Sequence, residues 1–236
     1  MPNSRSFQQF KEALEMAEEL LKLEQQYRNP PRQNEQKAVR GLRGAAAVLM
    51  VAAFENFLRE SMEEHLSKLS QNNLKLQFQK LPDKFRISSV YNSLDRAMKG
   101  PPFQEAPPKI DRLADIERIC KVIISGQVDP SVFIDTGGNP SPKNIKVLYS
   151  NIALENIFSR VRPKFDRKWG KPEAFSFVED KLQEVVNRRH VVAHTADALK
   201  ITRGNLREAL RFLEILAHVL DMELEDHIKH LVKLCT

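Results

Sequence analysis

The chain has 236 residues, 42% hydrophobic and 29% charged, with 8 Gly, 13 Pro and 2 Cys; this composition can bury a sizeable core and excludes a disordered chain. The longest uninterrupted apolar run, Ala45 to Phe54, is ten residues, about half of what a membrane span needs, so it reads as a buried helix segment. The net charge is +6, and the eight basic and two acidic residues between Lys143 and Lys171 account for a surplus as large as the whole of it; positive potential is therefore expected to concentrate there, as on a surface facing an anion or a nucleic acid.

The N-terminal residues hold no apolar signal core, which gives the expectation of a cytoplasmic protein with no membrane partner. Proline is absent between Arg32 and Leu81 and after Pro172, leaving two long segments free to be helical. A first helix is predicted from Ser6 to Tyr27, with Phe7, Phe10, Leu14, Ala17, Leu20 and Leu21 on one stripe, stopped by Asn29-Pro30-Pro31. A longer one is predicted over about Asn34 to Ser70, alanine-rich from Ala45 to Ala53. Residues 71–142 carry eight prolines and Gly137-Gly138 and read as a loop-rich insertion with short helices, the best from Asp111 to Ser125; Lys84–Val90 is the one weak strand candidate. Ser141 and Pro142 look like an N-cap and an N1 proline, opening a helix to about residue 160. Another is expected after Pro172, with Phe175, Val178, Leu182 and Val185-Val186 as its apolar face. Asn205-Leu-Arg-Glu reads as a capping box before a closing helix marked by Leu206, Leu210, Leu213, Leu220, Leu224, Ile228 and Leu231. The expected fold is all-α, a helical bundle forming one domain over 1–236, its core from about 6–70 and 143–233.

Chemistry concentrates in Arg188-Arg189-His190-Val191-Val192-Ala193-His194. Composition alone supplies about one Arg-to-His pair at such spacing, and Arg59/His65 and Arg211/His218 match it too. Those two lie inside long helices and are followed by Glu60 and Phe212, whereas Arg189 is followed by the polar His190 near a predicted helix end. Arg189-His190-x3-His194 fits the R-x4-6-H motif of HEPN (higher eukaryotes and prokaryotes nucleotide-binding) domains. With Phe54-Glu55-Asn56-Phe57-Leu58 and Gly138-Asn-Pro-Ser-Pro-Lys-Asn-Ile, the chain resembles the subgroup associated with ribonuclease-L-like and phage-defence proteins, over most of its length.

That resemblance implies a HEPN-like bundle and a metal-independent endoribonuclease that uses the adjacent 2′-OH of RNA as nucleophile and needs no cofactor. It assigns His194 as the acid/base group and Arg189 as the group that holds the scissile phosphate, with His190 orienting the pair or touching phosphate. It also implies a homodimer with both motifs in one cleft, serving as a toxin or defence effector restrained by an antitoxin or regulatory partner. On an ideal helix, residues 189 and 194 stand about 140° apart, so a bend, a helix end or a second chain must bring them together. Glu55, a carboxylate in an apolar stretch, is either an ion pair to a neighbouring helix or an inward acid pairing with Arg188 or Arg189. The segment Arg160-Val-Arg-Pro-Lys-Phe-Asp-Arg-Lys-Trp-Gly-Lys is either an RNA surface or a surface loop with an apolar anchor. As an RNA surface, Arg160, Arg162, Lys164, Arg167 and Lys168 would meet phosphates while Trp169 stacks on bases; in both readings Arg162 and Lys164 are expected to be exposed. A non-catalytic helical module that binds RNA or a nucleotide, or scaffolds a partner, is the alternative.

Other chemistry has little support. His190 and His194 share a helix face, but no third ligand is apparent and residue 191 is Val rather than the Glu of a zinc-protease helix. His227, His230 and Cys235 read as an exposed helix end. Cys120 and Cys235 are far apart and read as reduced thiols. The sequence has no Gly-rich phosphate loop, no G-x-S-x-G and no cysteine beside a histidine.

Overall fold

In the computed structural model, residues 4–70, 77–99, 108–125, 127–195 and 198–235 are described, and among them are eight α-helices and no strand. Helix α1 (Arg5–Glu24) starts where Ser4 Oγ accepts from the Phe7 N–H at 3.1 Å, satisfying one of the four orphan donors of a helix start. Phe7, Phe10, Leu14, Ala17 and Leu21 are buried along its expected stripe. Helix α2 (Gln36–Ser67) is prolonged to Ser70 by a 3-10 turn, and α1, α7 and α8 all pack on it. By length and composition Gln36–Ser70 would suffice to cross a bilayer, but 56% of its apolar window is buried inside the protein, as befits the central helix of a bundle.

Helices α3 (Asp83–Lys99) and α4 (Lys109–Ile124) pack on each other. Lys84–Val90, the strand candidate, is helical: Phe85, Ser89, Ser93 and Ala97 turn inward at helical spacing. The Phe85 ring lies 5.0 Å from that of Phe133, whose 3-10 turn, Pro130–Phe133, packs on α2.

Helix α5 (Pro142–Ser150) has the expected cap, with Ser141 Oγ accepting from the Asn144 N–H at 3.3 Å and Pro142 in the first turn. It stops short of residue 160. A turn follows with Ala153 and Asn156 at positive φ, and then α6 (Ile157–Trp169), so the basic segment, read as either an RNA surface or a surface loop, is mostly helix. Ile157, Phe158, Val161, Phe165 and Trp169 form its buried stripe, and Gly170, at φ 95°, ends it in a left-handed conformation. Helix α7 (Phe177–Thr195) buries Val178, Leu182, Val185 and Val186, whereas Phe175, expected on that face, precedes the helix and is exposed. Helix α8 (Arg203–Cys235) closes the chain. Its capping box runs from Thr202 to Asn205 rather than starting at Asn205: the Asn205 N–H donates to Thr202 Oγ1 and the Thr202 N–H to Asn205 Oδ1, both at 3.1 Å. One hydrophobic cluster joins α1, α2 and α5–α8. It has one aromatic knot at Phe7, Phe10, Phe54 and Phe57, and another at Phe165, Trp169, Phe177 and Phe212.

Candidate active site

The motif lies on uninterrupted helix, since α7 runs without a break from Phe177 to Thr195. Its core-facing stripe of Val178, Leu182 and Val185 continues, at steps of three and four, through Arg189 to Val192. Val192 packs on the core against Gly44 of α2, where a β-carbon would stand 3.0 Å from Val192 Cγ1; the missing side chain is what lets the end of α7 approach α2 so closely. Arg189 is thus half-buried on the inner side of α7. Its Nε is buried and has no hydrogen-bond partner among the described residues. A desolvated guanidinium N–H without an acceptor is costly, and it is a ready donor to a phosphate or another anion.

Arg188 points elsewhere. It pairs with Glu184 one turn back, and its Nη1 donates to the Asn205 carbonyl at 3.4 Å, tying α7 to the start of α8. His190 is exposed on the helix. His194 occupies the last turn of α7; its side chain lies outside the described residues, as do Ala196 and Asp197. With the helix regular, the bend or break that would swing residues 189 and 194 together within one chain does not occur before Thr195, and five residues still separate them by about 140°. Asp180, Glu184, Asn187, Arg188, Val191 and Asn205 line an open groove of about 760 Å³ along the outer side of α7.

The connection from α7 to α8 is fastened by a buried charge cluster that sequence reasoning missed. Glu24, at the end of α1, is fully buried and accepts from Arg43 Nε at 2.8 Å and from Arg203 Nε at 2.5 Å. Arg43 Nη1 donates to the Ile201 carbonyl at 3.1 Å, and Arg203 Nη2 to the carbonyls of Glu24 and Tyr27 at 3.1 and 3.3 Å. Burial alone would raise the Glu24 carboxyl, but the two guanidiniums outweigh it and hold the group below the ordinary carboxylate value. The available signal was Arg43 itself, a cation set among Gly41, Leu42, Gly44 and Ala45 to Ala47.

Several expected site residues are placed differently. Glu55 meets neither Arg188 nor Arg189: its Oε1 accepts from Thr136 Oγ1 at 2.7 Å. Gly44 marks the level of Val192 on α2, and Glu55 stands eleven residues further, about 16 Å along the helix; it anchors the segment before α5. Arg162 and Lys164 are half-buried rather than exposed. Arg162 Nε binds both Asp166 oxygens at 2.8 Å, and its other nitrogens donate to the carbonyls of Glu173 and Phe175. Lys164 bridges Glu223 and Asp226 of α8, and Arg160 also binds Glu223. Trp169 is buried, with Nε1 donating to Glu173 at 3.0 Å and the Arg211 guanidinium 4.7 Å over its ring, so it closes the core instead of offering a face to bases. Arg167 and Lys168 remain exposed.

The competing Arg–His pairs are occupied structurally. His65 is buried with Nε2 2.8 Å from Asp221 Oδ1. His218 packs edge-on to Phe7, and burial, with Lys168 nearby, lowers its basicity. Near the C-terminus, His227 is no exposed ligand: Nε2 meets the Ile152 carbonyl at 2.8 Å, and Cys235 is buried. Among the described residues, no three His, Cys, Asp or Glu side chains stand together as metal ligands.

The RiboL-PSP-HEPN family model matches residues 12–226, a span that runs from within α1 to within α8 and holds all of α2–α7 and the whole motif. No curated protein and no solved structure matches the chain. The chain belongs to the RiboL-PSP-HEPN family of helical HEPN domains, a class associated with nuclease and RNA-related function.

Proposed function

We propose that the protein is a metal-independent endoribonuclease whose site is completed between two copies of the chain. The observation that carries the reading is Arg189, whose buried Nε–H has no acceptor among the described residues, on a helix that continues unbroken to His194. An RNA phosphate supplies the missing acceptor, and as negative charge builds on it during attack by the neighbouring 2′-OH the guanidinium stabilises it. His194 takes the proton from that hydroxyl and returns one to the leaving 5′-oxygen, the role an imidazole fills near neutral pH. The product carries a 2′,3′-cyclic phosphate. The angle between positions 189 and 194 favours sites built from the arginine of one chain and the histidine of its partner, with His190 on the rim. HEPN domains generally are ribonucleases that bind RNA and dimerise, which supports the same reading. A cytoplasmic toxin or defence effector held in check by an antitoxin or regulatory partner fits such an activity.

The test is cleavage of total RNA by purified protein in EDTA. Arg189→Ala and His194→Ala should each lose about 10²- to 10⁴-fold in rate while keeping wild-type helix content. Mixing the two inactive variants should restore cleavage, because a mixed dimer unites one unaltered arginine with one unaltered histidine. Normal cleavage by either variant sinks the catalytic assignment. Failure of the mixture to recover sinks the shared site, and RNA binding without cleavage by the wild type identifies a binding module instead.

A further inference from the structure

Because α7 is regular through Thr195, its geometry assigns each motif position to a face. Asn187 and position 194 are two turns apart and only about 20° from each other around the axis, with Val191 about 40° from Asn187. Arg189 is about 160° from both Asn187 and Val191. The groove of about 760 Å³ whose α7 wall includes Asn187 and Val191 therefore lies on the histidine side of the motif and not on the arginine side. Its volume is within the roughly 300–1,000 Å³ of clefts that take small ligands.

Lys200, Ile201 and Asn205, at the entry to α8, form the other wall. Both walls are fixed from behind: Arg43 Nη1 donates to the Ile201 carbonyl at 3.1 Å, and Arg188 Nη1 to the Asn205 carbonyl at 3.4 Å. Val191, 50% exposed, and Ile201 supply apolar surface. Two amides already have their oxygens engaged. Asn187 Oδ1 accepts from Gln183 Nε2 at 2.8 Å, and Asn205 Oδ1 from the Thr202 hydroxyl at 2.6 Å and N–H at 3.1 Å. Their NH2 groups make no hydrogen bond among the described residues, and exposed Lys200 makes no ion pair among them. Glu184 is neutralised by Lys181 and Arg188, and Asp180 stands about 10 Å further back along the helix from Asn187. Apolar surface, two amide donors and an open cation match the face, the acceptor edge and the phosphate of a nucleotide. A docked protein helix would meet those donors poorly, because its backbone carbonyls are already bonded within it.

We propose that the groove between α7 and the entry to α8 is a base-binding subsite for the RNA nucleotide beside the scissile phosphate, with Asn187 and Asn205 setting base preference. In each shared site it belongs to the chain that supplies His194, while the partner chain supplies Arg189. This assignment rests on the composite ribonuclease site proposed above.

Two measurements test it. The first needs no cleavage and uses single-stranded 2′-O-methyl RNA, whose nucleophile is blocked. In a Cys120→Ser background, Val191→Cys should react with a maleimide and lose most of that reactivity when the RNA is added, whereas Met16→Cys, exposed on α1, should react alike with and without RNA. A cysteine at 191 that is unreactive without RNA means that the partner chain covers the groove, and one that reacts equally in its presence means that RNA bypasses it; either result overturns the proposal. The second sequences the ends cut by a mixture of Arg189→Ala and His194→Ala chains. Asn187→Leu added to the Arg189→Ala chain, the histidine donor, should flatten the base preference beside the cut by about threefold to tenfold. Added to the His194→Ala chain, it should change nothing. Equal effects from the two placements, or no effect from either, overturn the assignment. A mixture that cuts no RNA removes the composite ribonuclease reading, and thiol protection alone then decides whether the groove holds RNA.

Discussion

Glu24 ties the end of α1 to α2 and to the start of α8, because its one carboxylate serves both Arg43 and Arg203. Replacing it with glutamine leaves two guanidiniums packed around a neutral amide. Breaking a buried ion pair from one side costs about 3–5 kcal/mol, so Glu24→Gln should lose on the order of 3 kcal/mol of unfolding free energy at neutral pH. The sign of the pH dependence follows from the direction of the shift. The carboxyl is held below its unfolded value of 4.5, so its contribution is complete above that pH and is lost as pH falls through the folded value. Urea unfolding of both chains from pH 7 downward should show the gap narrowing only below about pH 4.5; a gap independent of pH would mean that the charge is not what stabilises. At this scale the sequence was legible where a residue's role is local. The Ser141 cap could be read from its neighbours. Glu55 could not, because Thr136, which donates to it, is 81 residues away.

Among the elements, α1, α2, α7 and α8 announced themselves through apolar stripes, and α6 did not. Its stripe of Ile157, Phe158, Val161, Phe165 and Trp169 was present but lay among five cations and Pro163, which read equally as an RNA surface or a surface loop. The apposition of α2 and α7 was equally hidden, since it depends on Gly44, one residue with no side chain. Gly44→Val tests what that contact does for the site. The added carbons have to displace Val192 Cγ1, already 3.0 Å from where a β-carbon would stand, at a cost of about 1–3 kcal/mol for overpacking. The larger effect should fall on cleavage, because the strain acts three residues from Arg189, and small misplacements of reacting groups cost on the order of tenfold to a hundredfold in rate. Rates compared under conditions where both chains are fully folded should show that loss. A stability loss with an unchanged rate would mean that the end of α7 does not need α2 to position the arginine.

For the whole molecule, the concentration of charge between Lys143 and Lys171 was legible in the sequence and its neutralisation was not. Arg160 and Lys164 are matched by Glu223, more than 50 residues along on α8, Lys146 by Glu179 and Lys171 by Glu173. What survives as open positive surface on α6 is Arg167 and Lys168, which make no ion pair among the described residues. They sit at the end of α6, where Trp169 packs 5.7 Å from Phe177, the first residue of α7. Arg189 is twelve residues further, about 18 Å of helix, a distance that a few nucleotides of extended RNA can span. If substrate runs from this patch to the motif, each lost phosphate contact should flatten the dependence of log affinity on log salt by about 0.7 for a single strand. Arg167→Glu with Lys168→Glu should therefore reduce the slope by about 1.4 and weaken binding most at low salt. The helical fold should be untouched, because neither side chain is buried. Filter binding of a single-stranded RNA across a salt series, with His194→Ala in the background to prevent cleavage, measures that slope directly. An unchanged slope would mean that RNA reaches Arg189 without crossing this patch, and that the basic cluster in the sequence serves mainly to bind α6 to α8.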